Sequence, residues 1–129
     1  MARLLVISNH PPDRWSEEQK KGWDSIDYIP FPDVPAEADY LDVAMHYAKP
    51  IIEAIWNWLS KNPDGKVCVQ GEYTVCSIVF SFVPFYVFTF PTTKRVVQEI
   101  QKEDGTVEKV SVFKFVKWRQ FESITRGDQ

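Results

Sequence analysis

The sequence predicts an α/β domain in which a mostly parallel sheet is flanked by helices and followed by a C-terminal β-hairpin. Short apolar runs near the start and the middle of the chain suit strands that are buried on both faces. A helical apolar pattern lies between them, and Asp104-Gly105 separates two β-rich runs near the end. With 129 residues, 44% hydrophobic and 26% charged, the chain can form one packed core. We expect a single domain over residues 1–122 and a polar tail over 123–129.

The first strand is predicted over Ala2–Ser8, where four aliphatic residues follow one another. It stops at Ser8-Asn9-His10, just before two prolines. Hydroxyl, amide and imidazole groups offer both donors and acceptors, which suits a ligand-facing loop. Ser8, Asn9 and His10 are therefore candidate ligand contacts, and an ordinary turn set by the prolines is the alternative.

A short helix and a second strand are predicted next. Ser16 has the position of an N-cap, with Gln19 three residues later, for a helix that reaches about Gly22 or Trp23. A strand over Ile26–Phe31 follows and is ended by prolines.

The longest helix is predicted from about Ala36 to Ser60, because apolar residues recur there at intervals of three and four. Pro50 lies inside it and is expected to kink or divide it, since proline removes a backbone hydrogen bond. The large rings of this segment are too many for one narrow core stripe, so part of its surface is a candidate for packing on a second subunit. Packing against the sheet of the same subunit is the alternative.

The stretch Lys66–Val83 is the centre of the predicted site. It opens with a short apolar strand, breaks at Gly71-Glu72, where the glycine is free to take a positive φ, and resumes at Thr74, a residue able to cap a helix. Thr74–Val83 has the composition of a strand, but we predict a helix because strand and helix alternation gives a parallel crossover. Ligands bind at the carboxyl ends of strands in such sheets. Gly71, Glu72 and Thr74 are therefore candidate ligand contacts, with a plain turn as the alternative.

A further strand is predicted over Phe85–Phe90, buried on both faces. If it is parallel to the others, it delivers a polar and cationic segment to the same edge of the sheet. Hydroxyls donate short hydrogen bonds to phosphate oxygens, and arginine can bind them bidentately. Thr92, Thr93, Lys94 and Arg95 are therefore candidate phosphate contacts, and a solvated strand start is the alternative.

The C-terminal hairpin is predicted from Val96–Gln101, a turn at Glu103-Asp104-Gly105 and a second strand over Thr106–Phe121. One face of the second strand is mainly aliphatic, and the other mixes aromatic rings with lysines. That mixed face could stack nucleobases and neutralise phosphates, or it could form a dimer surface.

Charge and composition restrict the classes of function. The net charge is −3, but residues 93–119 carry seven Lys or Arg against four Asp or Glu, which suits a compact polyanion better than duplex DNA. No apolar run has the length of a bilayer span and no signal peptide opens the chain, so we expect a cytoplasmic protein without a membrane partner. Cys68 and Cys76 are expected to be buried thiols. They form no metal-binding spacing with His10 and His46, so neither a metal nor a cofactor is expected.

Four stretches together resemble a known family. They are Leu4–Pro11 with the following Ser16–Gln19, then Val69–Thr74, Pro91–Val97 and Asp104–Phe121. They are similar to the small single-domain proteins of type III CRISPR loci that are related to the CARF (CRISPR-associated Rossmann fold) domains, a group that includes ring nucleases. The resemblance covers most of the chain in order and implies a Rossmann-like (CARF-like) fold.

The resemblance also implies a homodimer whose paired sheet ends bind a cyclic oligoadenylate, most often cyclic tetra-adenylate. Ring nucleases of this kind open the ring without a metal. A ribose 2′-hydroxyl attacks the neighbouring phosphate, which leaves a 2′,3′-cyclic phosphate end. The implied role is to switch off type III CRISPR signalling.

The resemblance implies a role for each site residue according to its position in the sequence. Imidazole is the usual proton carrier near neutral pH, so His10 is expected to accept or donate the proton. Lys94 or Arg95 is expected to stabilise the phosphorane, and Glu72 to hydrogen-bond an adenine amino group or a ribose hydroxyl, because a carboxylate beside phosphates is repelled. The other expected ligand contacts are Ser8, Asn9, Gly71, Thr74, Thr92 and Thr93.

Two alternatives stay open at this point. The first keeps the ligand and drops the chemistry, which gives a protein that only sequesters or senses the cyclic messenger. The second is a protein-interaction module that uses the aromatic hairpin and the helix faces. A conventional enzyme with a nucleophilic serine or cysteine is not favoured, because no motif would activate either side chain.

Overall fold

The computed structural model describes residues 2–122, so the predicted tail over 123–129 lies outside the described residues. The strands are β1 (Arg3–Ser8), β2 (Ser25–Pro30), β3 (Lys66–Val69), β4 (Thr89–Gln101) and β5 (Val107–Gln120). The α-helices are α1 (Glu17–Lys20), α2 (Tyr40–Val43), α3 (Lys49–Lys61) and α4 (Tyr73–Phe82). This is the predicted mixed α/β class with a C-terminal hairpin.

The parallel sheet has the order β2-β1-β3, with β1 in the centre. Leu4 pairs with Ile26 on one side and with Lys66 on the other. All residues from Leu4 to Ser8 are buried, as a central parallel strand requires. The apolar run at the start of the chain therefore predicted the central strand correctly.

Successive residues of β1 enter two different cores, because side chains alternate across a strand. Leu5 and Ile7 belong to the larger core, which contains buried residues of α3 and α4. Leu4 and Val6 belong to a smaller core on the other face. Its partly buried cover consists of Trp15, Trp23, Ile26, Tyr28 and Trp118.

A π-helical turn over Ala44–Ala48 connects α2 directly to α3. Lys49 donates its backbone N–H to the carbonyl of Ala44, five residues earlier. Pro50 follows at the start of α3 and has no N–H to donate, so the preceding turn widens. The helix is not divided at Pro50, because helical backbone continues from α2 through the π-helical turn into α3, and the helical segment begins at Tyr40 rather than at Ala36.

The first helix is shorter than expected, and the second strand keeps the predicted length but lies one residue earlier, over Ser25–Pro30. Ser16 caps α1 and accepts the N–H of Gln19 at 3.3 Å, as predicted. The helix ends at Lys20 rather than at Gly22 or Trp23, because Gly22 takes a φ of 91° that a helix does not allow.

Residues Tyr73–Phe82 are helical, which confirms the prediction of a helix in spite of its strand-like composition. Its buried residues Val75, Cys76, Ile78 and Val79 follow helical spacing and pack into the larger core. Tertiary packing therefore outweighs the β propensity of this segment.

The predicted strand over Phe85–Phe90 is wrong. Phe85–Val87 forms a 3₁₀ turn, and β4 begins only at Thr89. Phe88 makes a single parallel bridge to Val67, so the chain touches the edge of the sheet and then leaves it. Two strands compete to pair with this part of the chain. The strand β3 is four residues long, whereas β5 offers antiparallel partners to the whole of β4, so the segment pairs with β5.

The hairpin of β4 and β5 has the predicted Asp104-Gly105 turn, and Gly105 takes a φ of 86°. Lys102 and Glu108 form an ion pair of 3.3 Å beside this turn. A bulge between Thr92 and Thr93 shifts the register near the base. The hairpin is much longer than expected, because β4 starts seven residues before Val96.

No helix within residues 2–122 is long and apolar enough to cross a membrane.

Burial raises the pKa of the Cys68 thiol from its ordinary 9.0 to about 12, with a smaller contribution from Cys76. The folded state thus holds the thiol proton more tightly than the unfolded state. We expect the resulting stabilisation to be complete below pH 9 and to be lost as the pH rises from 9 towards 12. Urea unfolding at a series of pH values tests this, and Cys68→Ala should show a shallower loss above pH 9. Equal slopes for the two proteins would contradict the assignment.

Candidate functional site

The loops that follow the three parallel strands meet at one edge of the sheet. The N–H of Gln70 donates to the carbonyl of Ile7 at 2.9 Å, and the N–H of Phe31 donates to the carbonyl of Ser8 at 3.1 Å. The loop after β1 therefore lies between the ends of β2 and β3. This edge brings Ser8, Asn9 and His10 beside the glycine loop, as the parallel arrangement predicted.

Ser8 is buried at this edge and holds the loop in place through hydrogen bonds. It is 1% exposed, and its Oγ accepts the N–H of His10 at 3.1 Å. Its carbonyl also accepts the hydroxyl of Tyr28 at 2.7 Å. Asn9 and His10 are exposed, so they are the residues of this loop that a ligand can reach.

Gly71 is required for space and not for a positive φ, which corrects the prediction. Within the described residues only Gly22 and Gly105 have positive φ values among the glycines. A Cβ on Gly71 would lie 2.5 Å from three ring atoms of Phe31. Phe31 is 5% exposed, so the glycine loop is pressed against a buried ring.

Glu72, and not Thr74, caps α4. Its Oε1 accepts the N–H of Val75 at 2.9 Å, and its carbonyl accepts the N–H of Cys76 at 3.1 Å. A carboxylate at this position satisfies a free helix donor and interacts favourably with the helix dipole, which explains the choice over the threonine. One cap bond leaves the second carboxylate oxygen able to accept a donor from a ligand.

A groove of about 480 Å³ runs beside the start of α4. Tyr40 lines this groove and is 67% exposed, and Tyr73, the first residue of the helix, is 91% exposed. Sequence reasoning missed both tyrosines, although an aromatic residue at a helix start beside a glycine loop is a usable signal. The residues that line the groove include Val34, Ala38, Tyr40, Val43, Glu72 and Thr74.

The segment Thr92–Arg95 lies inside β4 rather than in a strand-end loop, which corrects its predicted position. The Oγ1 of Thr92 donates to the carbonyl of Lys117 at 2.9 Å. Thr93 is paired with Phe115, and Lys94 with Lys114. The Nε and Nη2 atoms of Arg95 donate to the Oγ of Ser111 at 3.0 and 2.9 Å.

In the part of the chain that the structure describes, no three His, Cys, Asp or Glu side chains are grouped so that they could hold a metal ion. The thiols of Cys68 and Cys76 are both free of disulfides and buried. The hydrogen-bonding groups at the strand-end edge are an amide, an imidazole and a carboxylate, which suit an organic polar ligand.

Comparison with known proteins gives one finding. A family model described as the uncharacterized protein MJ1673 family matches residues 2–119. No curated protein and no solved structure matches the chain.

Proposed function

The chain belongs to the MJ1673 family, and we propose that it binds a cyclic oligoadenylate, most readily cyclic tetra-adenylate, at the carboxyl edge of its sheet. In this proposal the fold is Rossmann-like (CARF-like), and two copies pair their sheet ends around the ring in the cytoplasm. The observation that carries the proposal is the junction of two adjacent strand ends. There, exposed Asn9 and His10 lie beside the loop of Gly71 and Glu72.

The groups at this edge suit nucleoside recognition. The amide of Asn9 and the free oxygen of Glu72 can accept hydrogen bonds from adenine amino or ribose hydroxyl groups. The exposed ring of Tyr73 can stack on a base. Tyr73 and Thr74 are the first two residues of α4, a position where backbone N–H groups can donate to an acceptor on a ribose or a base.

The proposed reaction opens the ring without a metal. His10 takes the proton from a ribose 2′-hydroxyl as its oxygen forms a bond to the neighbouring phosphorus. The bond from that phosphorus to the 5′-oxygen then breaks, and the 5′-oxygen receives a proton. The products are a 2′,3′-cyclic phosphate and a 5′-hydroxyl. The protein has to hold the 2′-oxygen in line with the leaving oxygen and stabilise the phosphorane charge.

Lys94 and Arg95 remain the proposed stabilisers of the phosphorane. They come from the hairpin and not from the loop at the edge, so β4 of the same subunit or of the second copy has to bring them to the ring. Thr92 and Thr93 precede them on the same strand and would accompany them.

One observation favours a second candidate function, which is binding without cleavage. The loops that follow β1, β2 and β3, residues 9–11, 31–39 and 70–72, contain no Lys or Arg. A site without a cation at the scissile phosphate can hold the ring while leaving it closed. The protein would then sequester or sense the cyclic messenger.

The deciding experiment incubates the protein with labelled cyclic tetra-adenylate in EDTA and identifies the product by mass. A linear product with a 2′,3′-cyclic phosphate supports ring opening. An intact ring together with a shifted band on a native gel supports sequestration. The absence of binding to cyclic tetra-adenylate and cyclic hexa-adenylate contradicts both and leaves a protein-interaction module.

Replacing His10 by alanine is expected to slow ring opening by about 100-fold or more while binding is kept, since general acid and base groups contribute factors of this size. His10 is exposed, so the fold should be unaffected. His46→Ala is the matched control, because His46 is also exposed and lies in the π-helical turn. Wild-type cleavage by the His10 variant would remove this residue from the mechanism.

A further inference from the structure

A second groove, of about 460 Å³, lies between the hairpin and the segment that follows β1. Its lining includes two cationic residues and three aromatic ones, which are Arg14, Lys114, Trp15, Phe113 and Phe115. Trp15 belongs to the smaller core, whereas the groove beside the start of α4 contains Val43 of the larger core on the opposite face of the sheet. The two grooves therefore lie on opposite faces of the sheet, so a ligand can occupy the second groove whether or not the carboxyl edge of the sheet binds a cyclic oligoadenylate.

Two aromatic rings of this groove are packed against a third ring, and one further ring is exposed. The ring centroids of Trp15 and Phe115 lie 5.5 and 5.8 Å from that of Trp118. Trp118 is held by a 2.9 Å hydrogen bond from its Nε1 to the carbonyl of Gln19. Phe113, two residues before Phe115 on β5, is 71% exposed and does not belong to this cluster. Fixed rings next to an exposed ring form a surface on which a flat molecule can stack.

Arg95 and Arg14 are the cations placed near the exposed ring. Arg95 is paired with Phe113 across the two strands and is oriented by its two hydrogen bonds to Ser111. Lys114 also lines the groove, but it is paired with Lys94 in the next step of the ladder, so these two lysines start from the face of the hairpin opposite to that of Arg95 and Phe113. Exposed Arg14 approaches from the other wall.

One acidic side chain, Glu18, also lines the groove, and Ser16 and Gln19 add neutral polar groups. The cations therefore outnumber the acids, while donors and acceptors for a base edge are present. An apolar partner would bury Arg14 with Glu18 as the one counter-charge in the lining of the groove, which is costly. An aromatic base that carries a phosphate satisfies both the ring and the cations.

We propose that this groove binds one nucleotide of a single-stranded nucleic acid, with the base stacked on Phe113 and the phosphate held by Arg14. The volume of the groove is in the range of small-ligand sites and suits one nucleotide. Duplexes are excluded from this mode, because their bases are already stacked and cannot reach the ring.

The test is fluorescence anisotropy of the full chain with a labelled adenosine RNA of about 12 nucleotides, the corresponding DNA and an RNA duplex. Phe113→Ala is expected to weaken single-strand binding about tenfold, which is the loss that one stacked base gives. Arg14→Glu is expected to weaken it further and to flatten its dependence on salt. Both side chains are exposed, so the thermal melts should match the wild type.

Two control variants match these changes elsewhere on the surface. Tyr86→Ala removes an aromatic ring that is 63% exposed, and Lys49→Glu reverses an exposed charge at the start of α3. Both should bind like the wild type.

Several results would overturn the proposal. They are the absence of single-strand binding at low salt, duplex binding as tight as single-strand binding, or an equal loss from Tyr86→Ala and Phe113→Ala. Displacement of the RNA by polyglutamate at equal charge concentration would indicate a general polyanion surface instead. If cyclic tetra-adenylate binds but the RNA does not, the nucleotide groove is refuted while the proposed function stands. If the RNA binds but cyclic tetra-adenylate does not, the proposed function is refuted while the nucleotide groove stands.

Discussion

Replacing Trp118 by alanine is expected to lower the free energy of unfolding by about 3 kcal/mol, which is the lower end for removal of a packed tryptophan. The ring lies against Trp15, Trp23 and Phe115, with centroids 5.5, 5.6 and 5.8 Å away. It also belongs to the small core over Leu4, Val6 and Cys68. Its loss removes part of the cover of one sheet face and the hydrogen bond that attaches the hairpin to α1. Urea unfolding followed by circular dichroism measures the effect.

Two further variants separate packing from the hydrogen bond of the indole. Trp118→Phe keeps most of the ring but loses the donor to the carbonyl of Gln19, so we expect a loss of about 1 kcal/mol from that bond. Trp56→Ala, at a tryptophan that is 48% exposed, should cost much less than Trp118→Ala. A similar loss for Trp56→Ala and Trp118→Ala would show that the small core does not stabilise the fold.

Replacing Gly71 by valine is expected to destabilise the fold by about 3 kcal/mol, the upper end for overpacking. A Cβ there lies 2.5 Å from three atoms of the Phe31 ring, and the two γ-methyl groups add to the overlap. Because Phe31 is 5% exposed, the ring cannot move aside without opening the larger core. The thermal midpoint of unfolding and binding of cyclic tetra-adenylate should both fall.

A double-mutant cycle shows whether the overlap with Phe31 is the cause. Phe31→Ala alone creates a cavity and is itself destabilising. Combined with Gly71→Val it makes room for the new side chain, so the double variant should be more stable than the sum of the two single losses predicts. Strict additivity would mean that Gly71 is required for some reason other than the Phe31 ring.

The elements that sequence patterns located correctly are those specified by local chemistry. Four aliphatic residues from Leu4 to Ile7 have no alternative to a buried strand, and Asp104-Gly105 can adopt the backbone of a hairpin turn. The prediction of α4 succeeded for a different reason. The alternation of strands and helices outweighed the strand-like composition of Thr74–Val83.

The errors arose where two partners compete for one segment. Phe85–Phe90 is apolar enough for a buried parallel strand, but the neighbouring β3 is short and β5 is long. The chain therefore keeps a single bridge at Phe88 and pairs the rest with β5. This choice also moved Thr92–Arg95 from a loop into a strand, and no local pattern in that segment signals the change.

The candidate site was predicted in part. The adjacency of Ser8, Asn9 and His10 to Gly71 and Glu72 follows from parallel strands alone, without knowledge of any side-chain contact. The reason for the glycine did not follow, because it depends on Phe31, which is forty residues earlier in the chain and touches it only in the fold. The exposed ring of Tyr73 was likewise hidden until the helix start was known.

The position of β1 at the centre of the sheet has a consequence for the order of folding. Leu4 can pair with Lys66 only after the whole intervening chain has closed into a loop, whereas β4 and β5 are joined by a short turn. Local hairpins form within about 1–10 μs, and pairings between distant segments are slower. We therefore expect the hairpin to form first and the parallel sheet last. Trp118 then docks on the sheet in the slow phase, which makes its fluorescence a reporter of the final step.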